Sequence, residues 1–192
     1  MADVLHSRHA DTLEATVRIA AIPRRDVEAM FGHDGALFIA VVGTIADRML
    51  APLAERPSRT TFHPQLVAFA RQATDGFSGL QLRNLYRIAV ANEFGGHAIR
   101  VEFYRRGPAR VRDELARFMS FAQSQGFGPG MDCRRAAVHF LSLLRTYWEL
   151  ADVSAAGDRS HLDDDLDWMV AVFLSGIETR GHDAYPERQP SR

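Results

Sequence analysis

The chain has 192 residues, of which 46% are hydrophobic, so it can bury a substantial core as one all-helical unit or as a small head on a larger body. Its formal net charge of −1 gives no overall attraction to nucleic acid or anionic membrane, so any such contact needs a local basic patch. The single cysteine, Cys133, excludes an internal disulfide and favours a reducing, cytoplasmic location. No apolar run approaches the roughly 20 residues of a membrane-spanning helix, so no membrane partner is expected.

The first boundary lies at Phe31-Gly32, which predicts that a short helix ends near Met30. A longer helix is predicted to start near Asp34, because a short polar side chain can accept hydrogen bonds from the free N–H groups of a first turn. Its apolar residues recur at steps of three and four, as one buried helix face requires. These residues are Ala36, Leu37, Ala40, Val41, Ile45, Met49 and Leu53.

The middle of the chain keeps the helical spacing. Pro57-Ser58 ends the long helix, and the next one is predicted to start at Pro64 with His63 as its cap and to end at Gly76. Ser78 to Gln81 matches a capping box, in which the serine accepts from an unpaired N–H and the glutamine reaches back to the cap. A further helix is therefore predicted to follow it.

The second half predicts four more helical pieces. Gly107-Pro108 is predicted to separate a short amphipathic helix, residues 97–106, from a longer one that runs to Gly126, with the proline at the first helical position. Two strongly apolar helices follow, one around residues 136–151 and one around 162–177.

The acidic run Asp163 to Asp165 belongs in the first turn of the last helix, where the helix dipole stabilises carboxylates. No segment shows the sustained alternation of a strand, so the predicted fold class is all-α. The predicted domains are a reduced head over residues 1–33, a helical body over 34–179 and a polar tail over 180–192.

The last two helices carry apolar side chains on more than one face. Tyr147-Trp148 and Phe173-Leu174 are adjacent apolar pairs, which a helix with one buried face does not need. Burial against a second copy explains the excess, and the alternative is that both helices are central in a monomer. We therefore predict a homodimer whose interface includes Phe140, Leu144, Trp148, Leu166, Met169, Phe173 and Ile177.

The segment Met30 to Phe38 resembles the join between head and body in the tetracycline-repressor-like (TetR) family: Phe-Gly, a polar cap, then Ala-Leu-Phe entering a long helix. Three body segments are also similar to that family: Leu82–Arg87, Phe103–Pro108 and Phe140–Arg145. The resemblance covers about residues 12 to 178. It implies a transcriptional regulator with an N-terminal helix-turn-helix head and a larger helical body that binds a small molecule and dimerises.

Within the head, the resemblance assigns residues 14–24 to the second helix, the turn and the entry to the recognition helix. The implied contacts with double-stranded DNA are Arg18, Arg24 and Arg25. Asp26 and Glu28 lie on the same short helix, where a carboxylate repels the phosphate backbone. The alternative function is therefore a dimeric ligand-binding or protein-interaction module of the same fold that has lost specific DNA binding.

The resemblance also places a ligand cavity among the middle helices of the body. Its aromatic and aliphatic composition implies a mostly apolar small-molecule effector. The alternative is a plain core, which an aromatic stripe at helical spacing indicates more often than a pocket. The candidate ligand contacts are Phe69, Tyr86, Val90, Phe94, Phe103, Phe118, Phe121, Phe140 and Tyr147.

Other chemistry is weakly represented. The sequence contains no nucleophile elbow, phosphate-binding glycine loop or His-Glu-x-x-His pair, so we expect no enzyme and no cofactor. His6 and His9 lie one helical turn apart, but a solvated polar face explains them better than a metal site. Cys133 precedes Arg134-Arg135 near a helix start, an arrangement that can lower a thiol pKa, and the default alternative is a plain surface or half-buried cysteine.

Overall fold

The computed structural model describes residues 34–74, 97–153 and 162–180. No strand occurs in these three stretches, and the predicted all-α fold class is confirmed. The predicted head and all but the first residue of the predicted tail lie outside the described residues. The helices are α1 Asp34–Leu50, α2 Phe62–Thr74, α3 His97–Tyr104, α4 Arg110–Ser124, α5 Cys133–Val153 and α6 Leu162–Arg180.

Helix α1 begins at Asp34, as the sequence predicts, and ends at Leu50 before a 3-10 turn, Ala51–Leu53. Its buried face differs from the predicted one, because Ala40 is exposed. The helix is rotated so that its bulkiest apolar side chains face inward, which removes more apolar surface from water than burying alanines would. The buried positions are Phe38, Val42, Ile45, Ala46 and Met49.

Helix α2 starts two residues earlier than predicted, at Phe62, and His63 lies inside its first turn instead of capping it. A turn formed by Ser58 and Thr61 supplies the start. The Ser58 N–H donates to Thr61 Oγ1 at 2.8 Å, and the Phe62 N–H donates to the Ser58 carbonyl at 3.0 Å. The backbone carbonyl of Ser58 therefore accepts the first helical N–H, and no histidine cap is needed.

The predicted break at Gly107-Pro108 is absent. Helix α3 runs through a π-helical turn, Arg105–Ala109, directly into α4. The wider π turn accommodates Pro108, whose missing N–H and bulky ring are poorly tolerated inside a regular α-helix. Gly107 lies on the buried side, and a Cβ atom there would lie only 2.9 Å from Val42 Cγ1, so this turn packs closely on α1.

One continuous cluster of buried side chains joins all six helices. The inner face of α4 is buried along its length, at Val111, Leu115, Phe118, Met119 and Ala122. Helices α4 and α5 pack against each other, α2 packs against both α5 and α6, and α1 packs against α4 and the π turn.

Candidate ligand and dimer surfaces

Four aromatic residues assigned to the predicted ligand cavity are buried core residues. Phe69 and Phe140 are fully covered, and their rings stack with centroids 6.2 Å apart. Phe118 stacks on Phe62 at 5.5 Å, and Phe103 is 5% exposed. In this region the rings pack on one another, so a ligand among them has to displace at least one ring.

The remaining ligand candidates are more scattered. Phe121 lies beneath the guanidinium of Arg56, whose Cζ is 4.8 Å from the ring centroid. Tyr147 is half-buried and packs against the core cluster. Three further candidates lie outside the described residues: Tyr86, Val90 and Phe94.

An open groove of about 590 Å³ runs between the exposed side of α1 and helix α3. Small side chains such as Ala40 and Gly43 form its α1 wall. An ion pair closes one end, where Arg110 Nη2 lies 2.6 Å from Asp47 Oδ1 and joins α4 to α1. A smaller cavity, of about 170 Å³, lies between the start of α2, the 126–131 loop and the end of α6. Neither cavity is lined by the predicted ligand residues.

The rim of the groove carries an arginine pair on one carboxylate. Glu102 accepts hydrogen bonds from Arg105 Nη2 at 2.6 Å and from Arg106 Nε at 2.7 Å. Arg105 Nε also donates to Glu102, at 2.7 Å, and the hydrogen bonds from the two arginines, chiefly those from Arg105, lower the pKa of Glu102 from 4.5 to about 2. The rim is therefore already charge-paired, and a charged ligand would have to compete with these side chains.

The structure places part of the predicted dimer interface inside a single subunit. Phe140, Leu144 and Leu166 are 0%, 4% and 1% exposed, so their own subunit already covers them. Met169, Phe173 and Ile177 are half-buried and pack against the same core. The side chain of Trp148 lies outside the described part of the chain.

Different residues of the same two helices present apolar surface to solvent. On α6, Trp168 is 69% exposed and Val172, one turn later, is 50% exposed. Together with the exposed Ala171 and Ser175 they form a surface that we call the outer face of α6. On α5, Val138 and Leu143 are the large apolar residues that are exposed among the described side chains, 133–147.

A signal for these residues is present in the sequence. Trp168-Met169 and Val172-Phe173 are adjacent apolar pairs of the kind that predicts a second buried side. The pattern therefore identifies the helix, but it does not show which member of each pair points inward. His139, next to Val138, is exposed as well.

The pKa of the Cys133 thiol is not lowered. The thiol is half-buried, and this burial raises its pKa. The nearby Asp132 raises it further, while the backbone N–H groups of Arg134 and Arg135 are directed to Asp132 Oδ1. Of the two arginine side chains, Arg135 pairs with the same carboxylate, with Nε 3.3 Å from Asp132 Oδ2.

The predicted DNA contacts Arg18, Arg24 and Arg25, and the histidine pair His6 and His9, lie outside the described residues. Within residues 34–74, 97–153 and 162–180 no group of three or more His, Cys, Asp or Glu side chains is arranged to hold a metal ion. None of the helices in those ranges is long and apolar enough to cross a bilayer.

Comparison with known protein families agrees with this helical architecture. The profile of the family described as AefR-like transcriptional repressor, C-terminal domain, matches residues 64–175, more than half of the chain. No curated protein and no solved structure matches the chain. The protein therefore belongs to the TetR-type transcriptional regulators with an AefR-like C-terminal domain, a regulatory and not an enzymatic family.

Proposed function

We propose that this protein is a homodimeric, DNA-binding transcriptional regulator whose affinity for DNA is changed by a mostly apolar small molecule bound in the helical body. The family match over residues 64–175 supports the regulatory role. The proposed DNA contacts are Arg18, Arg24 and Arg25, in the segment that precedes α1.

The observation that carries the proposal is the outer face of α6. Soluble monomers seldom leave a tryptophan as exposed as Trp168 beside a second exposed apolar residue, because contiguous apolar surface favours association. A twofold dimer would bury this face against its own copy. Val138 and Leu143 are further exposed apolar residues, on α5, and the half-buried Met169 and Phe173 lie next to Trp168 and Val172 in the sequence of α6.

The packing around α1 supports a route from the body to the head. The helix starts at the residue that follows the proposed head, and its buried face packs against the π turn and α4. Asp47 and Arg110 join the two elements at 2.6 Å. A ligand that has different affinities for two arrangements of the body therefore moves α1 and changes the spacing of the two heads.

The proposed effector site lies among the aromatic residues of the body. Phe69 and Phe140 lie at its centre, and their 6.2 Å ring contact is the one that an apolar ligand would open. Displacing a packed ring costs free energy, so the ligand selects a minor conformation of the body. The body would then have two conformations, one with the rings packed and one with the ligand bound, as regulation by a ligand requires.

The test measures binding to DNA from around the protein's own gene at two or more salt concentrations, with Arg24→Ala/Arg25→Ala as the variant. Loss of two phosphate contacts should weaken binding and reduce the slope of log K against log salt by about 2. Arg117→Ala is the matched control, because this arginine is exposed on α4 and pairs with Glu114.

The alternative function, a dimeric ligand-binding or protein-interaction module without specific DNA binding, makes the opposite prediction. Asp26 and Glu28 lie beside the arginines and weaken any phosphate contact. If the unmodified protein forms no specific complex at low salt, the regulator proposal fails. The chain then acts through its body alone.

A further inference from the structure

The 170 Å³ cavity is enclosed by four separate parts of the fold: the start of α2, helix α4, the 126–131 loop and the end of α6. Apolar side chains make up most of its wall. They are Phe62, Met119, Phe127, Met131, Leu174 and Ile177. The two polar side chains in the wall are Arg59 and His63.

The loop side of the cavity is held in place by one glutamine. Gln123 Nε2 donates to the carbonyl of Gly128 at 3.1 Å and to that of Met131 at 2.9 Å. Gly128 has a φ of +52°, and a Cβ there would lie 2.6 Å from Ile177 Cγ2. Glycine is therefore required for the loop to reach α6, and the wall is preformed.

The size and lining of the cavity select the apolar part of a ligand. A dry cavity of about 150 Å³ lined by Leu, Ile and Phe is known to hold a benzene ring. The two methionines, Met119 and Met131, are adaptable and make favourable sulfur contacts with aromatic rings. A single six-membered ring therefore suits this chamber.

The polar side chains of the cavity wall favour a negatively charged ligand. Arg59 is exposed, and no carboxylate among the described residues pairs with it. His63 Nε2 already lies 3.9 Å from Asp167 Oδ1, so the aspartate opposes a second anion beside the imidazole. Arg59 is the better anchor, because a guanidinium can donate two parallel hydrogen bonds to one carboxylate.

We propose that this cavity binds a small aromatic carboxylate, with the ring between Met119, Met131 and Ile177 and the carboxylate on Arg59. The site is distinct from the aromatic core around Phe69 and Phe140, where the effector of the proposed regulation binds. It is therefore a second ligand site of the body.

The test uses the full chain labelled with ¹³C at its methionine methyl groups and titrated with benzoate. We expect saturable shifts of the Met119 and Met131 resonances with a Kd of about 1 mM or below, and no shift of Met49, which lies in the core cluster away from this wall. Benzylamine, with the opposite charge, should bind at least about tenfold more weakly.

Two variants locate the site. Arg59→Gln should remove the preference for benzoate over benzylamine, whereas Arg56→Gln, three residues earlier and packed on Phe121, should keep it. Leu174→Phe or Ile177→Phe should fill the chamber and abolish binding of both probes. Methionine spectra that keep the dispersion of the unmodified protein show that a variant is folded.

The proposal is overturned if benzoate produces no shift up to about 20 mM. It is also overturned if Met49 responds in place of the two cavity methionines, or if Arg59→Gln behaves like Arg56→Gln. Because no DNA is present, the result does not depend on the regulator proposal. If the protein binds benzoate but no DNA, the proposal of this ligand site stands and the proposal of a DNA-binding regulator fails.

Discussion

Helices α4 and α6 both contribute inner-face side chains to the buried core, but their outer faces differ. On α4, Arg112 pairs with Asp113 at 2.7 Å and Arg117 pairs with Glu114 at 2.6 Å, so the outer side is hydrated and charged. On α6, the outer side instead presents the apolar side chain of Trp168. The difference supports the proposed dimer contact on the outer face of α6.

The largest effect is expected from the inner faces, where the two helices should behave alike. Leu115→Ala on α4 and Leu166→Ala on α6 each remove a fully covered side chain, so each should lower the free energy of unfolding by about 2–5 kcal/mol. Urea unfolding at one protein concentration measures both. Val101→Ala, at a half-exposed valine of α3, is the control and should cost less than about 1 kcal/mol.

If Leu166→Ala costs no more than the Val101 control, α6 is not part of the subunit core in solution. In that case α4 would be packed in the core of the subunit and α6 would not. If both substitutions lower the free energy of unfolding by similar amounts, both leucines are buried in the core of the subunit.

The next effect concerns the outer faces. Trp168→Glu places a charge in the proposed interface and removes a hot-spot residue, so the dimer dissociation constant should rise by at least about 30-fold. Sedimentation velocity over a range of concentrations measures the change. Val101→Glu is the matched control, since Val101 is 49% exposed but lies on α3, and it should leave the dimer intact. A monomeric unmodified protein would contradict the pairing itself.

The sequence predicts the helices well where polar or glycine residues punctuate the apolar pattern. Asp34 marks the start of α1, and the acidic run falls in the first turn of α6. At Gly107-Pro108 the same reasoning fails, because the close packing of Gly107 on Val42 keeps the chain helical through a proline. Glycine and proline do not end a helix where tertiary contacts on both sides of them favour a continuous helix.

Individual site residues are harder to predict than helices. In α6, apolar residues such as Trp168 and Met169 are adjacent, so the sequence does not fix which one is inward. The rotation of the helix is decided by packing, here by Phe173 against Phe140 with ring centroids 4.8 Å apart. The 170 Å³ cavity cannot be predicted from the sequence either, because its walls come from distant segments that only the fold brings together.

A smaller change in stability is expected from two glycines, one on the buried side of the π turn and one on the groove side of α1. Gly107→Ala should destabilise the protein by about 1–3 kcal/mol, because the new methyl lies 2.9 Å from Val42 Cγ1, a fully buried and short side chain. Gly43→Ala should instead stabilise it by about 0.5–1 kcal/mol, since nothing lies within 4 Å and alanine favours a helix. Thermal unfolding measures both, and shifts of the same sign would mean that the π turn does not press on α1.

The smallest effect comes from the charged surface of α3. The folded-state pKa of Glu102 is lowered from 4.5 to about 2, so its contribution to stability is present above pH 4.5 and is lost as the pH falls toward 2. The side chain is partly exposed to solvent, so salt should weaken the effect. A ¹³C titration of the carboxyl group measures this pKa directly. Arg105→Ala should raise it toward 4.5, because Arg105 provides the largest shift, whereas Arg117→Ala, on the charged face of α4, should not. Equal titration curves for the two variants would show that Arg105 is not held against the carboxylate in solution.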